Sequence, residues 1–361
     1  MRCAELAAAL LLLTGAAQAD DRGHGLFTGQ IAEARPPCHS CHMRDGRGGT
    51  EGRAPDLVSA MARHDAASLR RALVEGVAAD GRPLSRLMPR YPSLDDQMAS
   101  ALLDYLRALP HRDRSGVETD VIRLGVEADP DYARDLQGAL DRISPRFFGR
   151  RINVVPVGPR PAADGAQVFA VVGLRGALQP WANAGVPVLF PRQMLRGSED
   201  PSIVRGLSAA GEDIGDAIMA DARDAGFEGV TILGEIDSAV AAVLRPPRTG
   251  PAALVVGDTT APPAGSNRIY AMPGSSTGPG VIRVIPGTPL LERMMSQNVP
   301  ASAAHAETAA DIITAVLREV GRDLSRARFM AAMTRTNLSA FGLDYRRVPL
   351  TGTREVGLRT E

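Results

Sequence analysis

The chain has 361 residues, 44% of them hydrophobic, and its 41 basic side chains balance 41 acidic ones for a formal net charge of zero. That composition is ordinary for a globular protein and the length exceeds one small domain, so two or three units are expected. All the basic residues other than histidine are arginine, and no basic run or tail offers a surface for nucleic acid.

Met1 to Ala19 carries one early positive charge at Arg2, an apolar run from Leu6 to Leu13 and an A-x-A ending at Ala17-Gln18-Ala19. This pattern predicts a secretory signal over residues 1–19, cleaved before Asp20. The run is too short to span a bilayer and no later stretch approaches about 20 apolar residues, so the mature protein is expected to be periplasmic and not membrane-spanning. Cleavage also removes Cys3, leaving Cys38 and Cys41.

Cys38-His39-Ser40-Cys41-His42 is a C-x-x-C-H motif. Its spacing lets two thiols bond to the vinyl groups of one haem while the next imidazole ligates the iron, which predicts one covalently bound haem c held by Cys38, Cys41 and His42. Zinc would need two more ligands, and only the scattered His24, His64, His111 and His305 are at hand. A redox-active dithiol belongs at a helix start within a βαβ unit, whereas here Pro36-Pro37 precedes the motif and glycines follow it.

For the second axial position Met88 fits best. It lies in Leu87-Met88-Pro89, where the proline favours an extended loop that aims the thioether inward. Met43 adjoins His42, Met61 competes, and Met98 falls on a helix face where methionine more often packs the core. Arg44, Arg47, Arg53, Arg82, Arg86 and Arg90 surround the motif and the methionine loop. They either pair with haem propionates and water or form a cationic rim for an acidic partner.

Residues 22–110 read as short helical patterns, among them Ala66 to Val74, rich in turns and ending in an amphipathic helix. The polar stretch His111-Arg112-Asp113-Arg114-Ser115-Gly116 follows Pro110, and a linker is expected over 113–120. Beyond it, apolar runs recur at Val121 to Val126, Ile152 to Val157, Val168 to Val172, Val186 to Phe190, Val230 to Leu233, Ala252 to Val256, Arg268 to Met272 and Val281 to Ile285. Helical patterns at Tyr132 to Ile143, Gly211 to Gly226 and Ser302 to Val320 lie between and after them. The alternation predicts βαβ units with a mostly parallel sheet, in two similar lobes that divide near Gly197.

The second part holds one histidine, His305, and no cysteine, so no nucleophile and base come together there. Gly173 and Gly176 do not form a dinucleotide fingerprint. The expectation is a non-catalytic electron carrier.

Two resemblances sharpen this reading. Gly23-His24-Gly25-Leu26-Phe27 and Leu102-Leu103-Asp104-Tyr105, with the C-x-x-C-H motif between them, resemble the first and last helices of a class I cytochrome c. The resemblance implies an all-α haem domain over 20–112 in which those helices cross. It also implies that Pro55, in Ala54-Pro55-Asp56-Leu57, offers its carbonyl to the proximal imidazole.

Residues 121–357 resemble a type I periplasmic substrate-binding protein of the branched-chain amino acid kind. The phrases that carry this are Val121-Ile122-Arg123-Leu124-Gly125-Val126, Gly149 to Val155, Phe169 to Gly173 with Ala184 to Leu189, and Thr308 to Arg335. A two-lobed α/β domain over 121–361, around a cleft, is implied.

The segments between Val157 and Gln167 and between Leu233 and Val256 are shorter than in that family. Arg175, in Gly173-Leu174-Arg175-Gly176, stands where the family has small hydroxyl residues. It either pairs with a ligand carboxylate in the cleft or is a solvated loop charge. Trp181 sits in a helical pattern and is expected in the core, while Ser275-Ser276-Thr277-Gly278 either reaches the cleft or only turns the chain.

Together the resemblances imply electron transfer from a periplasmic dehydrogenase, an alcohol-oxidising quinoprotein by analogy with such enzymes' cytochrome partners, to another carrier or oxidase. The alternative is a protein whose two lobes capture a small solute and modulate the haem domain.

Overall fold

The computed structural model describes residues 22–48, 54–161, 167–257, 268–272, 279–285 and 299–360. The expected signal, Arg53 and the Ser275 loop lie outside the described residues. The chain forms two compact units, the first comprising residues up to Ser115 with Pro161–Gln167 and Ser325–Ala327, the second the remainder from Gly116 onward.

Unit 1 is helical, with no β-strand among its described residues: α1 over 22–28, α2 His39–His42, α3 Leu57–Ala60, α4 Ala66–Val74 and α5 Asp96–Arg112. Both longer helices start at an aspartate. Asp65 accepts from the Ser68 amide at 2.8 Å while the Ser68 hydroxyl accepts from the Asp65 amide at 3.0 Å, a reciprocal capping box. Asp95 accepts from the Met98 amide at 2.7 Å.

Along α5, Ala99, Leu102, Leu103, Leu106 and Leu109 are buried, the spacing of one helical face. Helix α5 runs through Pro110 to Arg112, so the first two residues of the polar stretch are its last turn. Pro110 has no N–H to give to the carbonyl four residues before it, and the helix ends two residues later. A Cβ on Gly23 would lie 2.2 Å from the Ala101 carbonyl oxygen and 2.6 Å from Cβ of Tyr105. Only a glycine lets α1 approach α5 this closely. Phe27 then meets the Tyr105 ring at 5.6 Å, in a core shared with Leu26, Leu69, Leu73, Tyr91, Leu94 and Leu106.

Unit 2 contains two five-stranded sheets. The first takes β1 Val121–Glu127, β2 Arg151–Val157, β3 Ala170–Val172, β4 Val188–Leu189 and β5 Val204–Arg205 in the order β2-β1-β3-β4-β5, all parallel. The second takes β6 Gly229–Leu233, β7 Ala252–Val256, β8 Ile269–Ala271, β9 Val281–Ile285 and β10 Gly357–Thr360 in the order β10-β9-β8-β7-β6, with only the β10–β9 pair antiparallel. Among the described residues the helices are α6 Pro130–Ile143, α7 Gln179–Asn183, α8 Gly211–Asp224, α9 Ser238–Val243, α10 Ala301–Val320 and α11 Arg326–Arg335. Central strands such as β3 are buried on both faces, as sheets covered by helices require.

Each sheet has its own core, which defines two lobes. Ile122, Leu124, Tyr132 and Phe169 pack with Ile312, Ile313, Val316, Phe329 and Tyr345, so α10 and α11 return to the first lobe. Ile214, Ile218, Val230, Val255, Tyr270 and Val284 form the second core, to which Val356 and Leu358 are added. The chain therefore passes between lobes after β5, after β9 and again after Tyr345.

Gly197, the expected division, lies instead within the segment joining β4 to β5 of the first sheet. The division comes after β5, because the apolar face of α8 belongs to the second core. Near the first passage Gly206 donates its amide to Leu350 O at 2.8 Å and accepts from the Tyr345 hydroxyl at 2.6 Å.

Candidate functional site

In unit 1 the C-x-x-C-H residues form a single turn. Cys38 caps α2 and packs half-buried against the core, Cys41 is exposed, and both thiols are free. Burial pushes the Cys38 thiol up to about 11. His42 is 3% exposed, and its Nδ1 lies 3.0 Å from the Pro55 carbonyl oxygen.

Two backbone bonds bring the Pro55 loop to that ring. Leu57 donates to Gly46 O at 2.7 Å and Gly48 to His42 O at 2.9 Å. A carbonyl can only accept, so Nδ1 carries the proton and Nε2 is left with its lone pair and no hydrogen-bond partner among the described residues. Burial lowers the pKa of the ring against the opposing pull of the Pro55 carbonyl, which favours the neutral form that ligates metals.

Met88, half-buried, packs against the same core as Cys38 and is pinned on its backbone by Arg90, which donates to Met88 O at 2.6 Å. Among the described residues no three His, Cys, Asp or Glu side chains converge to hold a metal ion on their own. The donor set of two thiols, a neutral buried imidazole and a nearby thioether fits a covalently attached haem.

In unit 2 the polar groups gather where first-sheet strands end. Parallel α/β sheets bind ligands at the carboxyl ends of their strands, where loops replace the ladder. Glu127 closes β1, and its Oε2 accepts from the amides of Arg175 at 2.8 Å and Gly176 at 3.1 Å, in the loop after β3. Asp129 follows β1 and caps α6. It pairs with Arg192, after β4, at 2.6 Å. That bond, then the Tyr132 amide, holds the Asp129 carboxyl below the ordinary carboxylate range.

The Arg192 guanidinium lies over the Tyr132 ring at 4.0 Å and donates from Nε to Gly173 O at 3.1 Å. Its side chain is 7% exposed, and the buried Nη1 has no hydrogen-bond partner among the described residues. Beneath it the Tyr132 hydroxyl meets His305 Nδ1 at 2.9 Å. Burial first, then the Arg192 charge, lowers His305 to about 3, so the imidazole is neutral.

The segment after Arg192 ties the two lobes together. Leu195 O accepts from the Gly211 amide at 3.0 Å, Arg196 donates to the Ser238 hydroxyl at 2.6 Å, and Met194 packs on the second core.

Arg175 sits in the loop the sequence indicated, but it is exposed and its guanidinium makes no hydrogen bond among the described residues. Its backbone amide does the binding, and what it holds is Glu127. Trp181 is buried in α7. Sequence reasoning missed Glu127, Asp129, Tyr132, Arg192 and the pairing of His305. A signal existed: Glu127 directly follows the buried β1 run and Arg192 lies two positions beyond Phe190, both at carboxyl ends of predicted strands.

No family model matches the sequence, and no curated protein does. Among solved structures, a substrate-binding periplasmic protein from Ralstonia solanacearum is similar, at 13% identity over 67% of this chain and 97% of that one, with a TM-score of 0.49. A possible leucine/isoleucine/valine-binding protein from Rhodopirellula baltica SH 1 has 10% identity over 68% of this chain and 95% of its own, with a TM-score of 0.49. A leucine-binding protein from Thermotoga maritima MSB8 has 10% identity over 67% of this chain and 98% of its own, with a TM-score of 0.44. What those proteins bind belongs to their own sites.

Proposed function

We propose that the two-lobed unit captures a small solute at the carboxyl ends of the first sheet, and that unit 1 is a c-type haem module whose electron transfer this capture modulates. The observation that carries the solute reading is the buried Arg192 with an unpaired Nη1 at the end of β4. A buried donor on a fixed cation is costly to leave unmade, and an anionic or carbonyl group of a solute would satisfy it.

In unit 1, Cys38 and Cys41 would hold the haem, His42 and Met88 its iron, and Pro55 the imidazole. When bound, the haem would supply one-electron chemistry. The chain's own contribution is to keep Nδ1 protonated and hydrogen-bonded so that the ring cannot rotate. The site belongs, on this reading, in the periplasm, between a dehydrogenase and a further carrier or oxidase.

A second reading, electron transfer with the lobes serving only as an organising module, is favoured by one observation: Glu127 and Asp129 already occupy donors at the strand ends.

Two measurements test these readings. The exported protein is expected to carry one haem that survives denaturation, and its ferric spectrum should show the weak charge-transfer band of a methionine sulfur, lost in Met88→Ala. A high-spin spectrum, or no covalent haem, defeats the haem assignment. Thermal shift against amino acids, alcohols and small acids is expected to find a stabilising solute whose effect disappears in Arg192→Gln. No shift across the panel leaves the second reading in place.

A further inference from the structure

We propose that the turn at Phe148 is a membrane-contact site, its ring entering the interface of a bilayer rich in anionic phospholipid while neighbouring arginines meet the phosphates. The turn joins α6 to β2 at the amino-terminal end of the first sheet, opposite to the strand ends that carry the solute reading. The inference does not rest on that reading.

The sequence breaks a local rule here. Phe147 and Arg150 exchange backbone bonds at 2.8 and 3.0 Å, which closes a two-residue hairpin over Phe148 and Gly149. Both central residues have positive φ, 50° and 89°. Asparagine, aspartate or glycine suits the first of these positions, and a bulky side chain there strains the backbone. Phe147 turns into the first core, whereas Phe148 is 47% exposed. A Cβ on Gly149 would meet nothing within 4 Å, so the tip is open on that side. An aromatic ring that strains its turn and is left exposed serves something other than the turn.

The surroundings are cationic. Residues 142–151 include four arginines and no carboxylate. Arg142 pairs with Glu307 at 2.8 Å. Arg146 instead donates to Gly149 O at 2.7 Å, and Arg150 donates to Glu118 O at 2.8 Å and to Arg322 O at 3.0 Å. These carbonyl bonds fix Arg146 and Arg150 beside the tip without neutralising them. Arg318, near the carboxyl end of α10, lies over the Phe147 ring at 5.8 Å. The Glu118 carboxylate is taken by Arg123, and the flanking Asp141 and Glu319 do not outnumber the arginines. An aromatic tip among such arginines matches a bilayer surface, where rings settle at headgroup level and guanidiniums bind phosphate. A projecting tip needs no pocket in its partner, which favours a bilayer over a protein.

Co-sedimentation of the full exported chain with lipid vesicles is the test. At low salt the parent is expected to bind vesicles of mixed phosphatidylglycerol and phosphatidylcholine but not phosphatidylcholine alone, and to leave them at high salt. Phe148→Asn should weaken binding about fivefold, the effect of withdrawing part of one ring from an apolar phase. The same variant should melt at the parent's temperature or above, because asparagine suits the turn. Phe148→Gly, equally suited to positive φ, should behave alike. Arg146→Gln should weaken binding by about fivefold through its lost charge. A residue that only shaped the turn would not lose binding while stability held or rose. A parent that ignores anionic vesicles overturns the proposal, the outcome expected if this face meets an acidic protein instead. Binding unchanged in Phe148→Asn, or equal on neutral vesicles, overturns it as well.

Discussion

Gly23→Ala is expected to destabilise unit 1 by about 2–3 kcal/mol, the cost of forcing an extra methyl into a packed contact. The sign makes the result informative, because alanine in place of glycine inside a helix normally stabilises it by about 0.5–1 kcal/mol. Here the new Cβ would lie 2.2 Å from a backbone oxygen on α5, and backbone cannot turn aside as a side chain can. Helices α1 and α5 must separate, and with them the Phe27, His24 and Tyr105 rings. Gly25→Ala is the matched control, since its Cβ would meet the flexible Ile31 side chain at 3.1 Å and Gln30 Cβ at an ordinary 4.0 Å, with no backbone atom among its nearest neighbours. Urea unfolding of both variants measures the difference. A Gly23→Ala protein as stable as its parent would mean that the helices cross more loosely than these distances require.

Below about pH 6.5 the two-lobed unit is expected to lose stability at about 1 kcal/mol per pH unit, continuing toward pH 3, because of His305. The sign follows from proton counts. The folded ring has its pKa lowered to about 3, so it stays neutral while the unfolded ring, near 6.5, takes up a proton. The unfolded state thus binds more protons across that window and is favoured as pH falls. Of the groups facing the ring, the Arg192 charge works with burial and a hydrogen bond to the Phe190 backbone opposes them; the Tyr132 hydroxyl is at Nδ1, and among the described residues no carboxylate acts on the ring.

Unfolding of the second unit, followed between about pH 7 and pH 5, should show the slope in the parent and its loss in His305→Gln. Asp129 does not confuse the readout, since its lowered carboxyl pKa acts only below about pH 4. His24, lowered by its own burial to about 4, contributes to the transition of unit 1. A parent without slope would mean that the His305 pocket opens to water before the lobes unfold.

Much of the strand and helix order was legible because it depends on local pattern. Helix α4 has the expected bounds, and β1, β2, β7 and β9 differ from expectation by no more than a residue at an end. The two-residue strands β4 and β5 show how this fails. Val186 to Phe190 carries a strong apolar run of which only two residues pair, while Val204–Arg205 has no run at all and is a strand only because β4 lies beside it. Strand β10 is likewise made by its neighbour: Gly357–Thr360 reads as a polar tail until β9 supplies the ladder.

The lobe division was misplaced for a related reason. Whether α8 belongs with the strands before it or after it depends on which core its apolar face meets, and the face reads the same in either case. At the strand ends, a sequence displays only side chains. Arg175 therefore stands out as a candidate ligand holder, while the backbone amides that bind leave no mark.

The passage of the chain back to the first lobe also sets an order of assembly. The core of unit 1 is contained within residues 26–109, so it can close early in synthesis. The first lobe of unit 2 begins directly afterwards, yet its core needs Ala306 through Tyr345, and the second lobe gains its edge strand only from Gly357–Thr360. Until the segment through Tyr345 emerges, β1 to β5 present an uncovered apolar face. A nascent chain would hold a closed amino-terminal core but not a complete unit 1, which also takes in Pro161–Gln167 and Ser325–Ala327, and a truncation near the carboxyl terminus would damage both lobes.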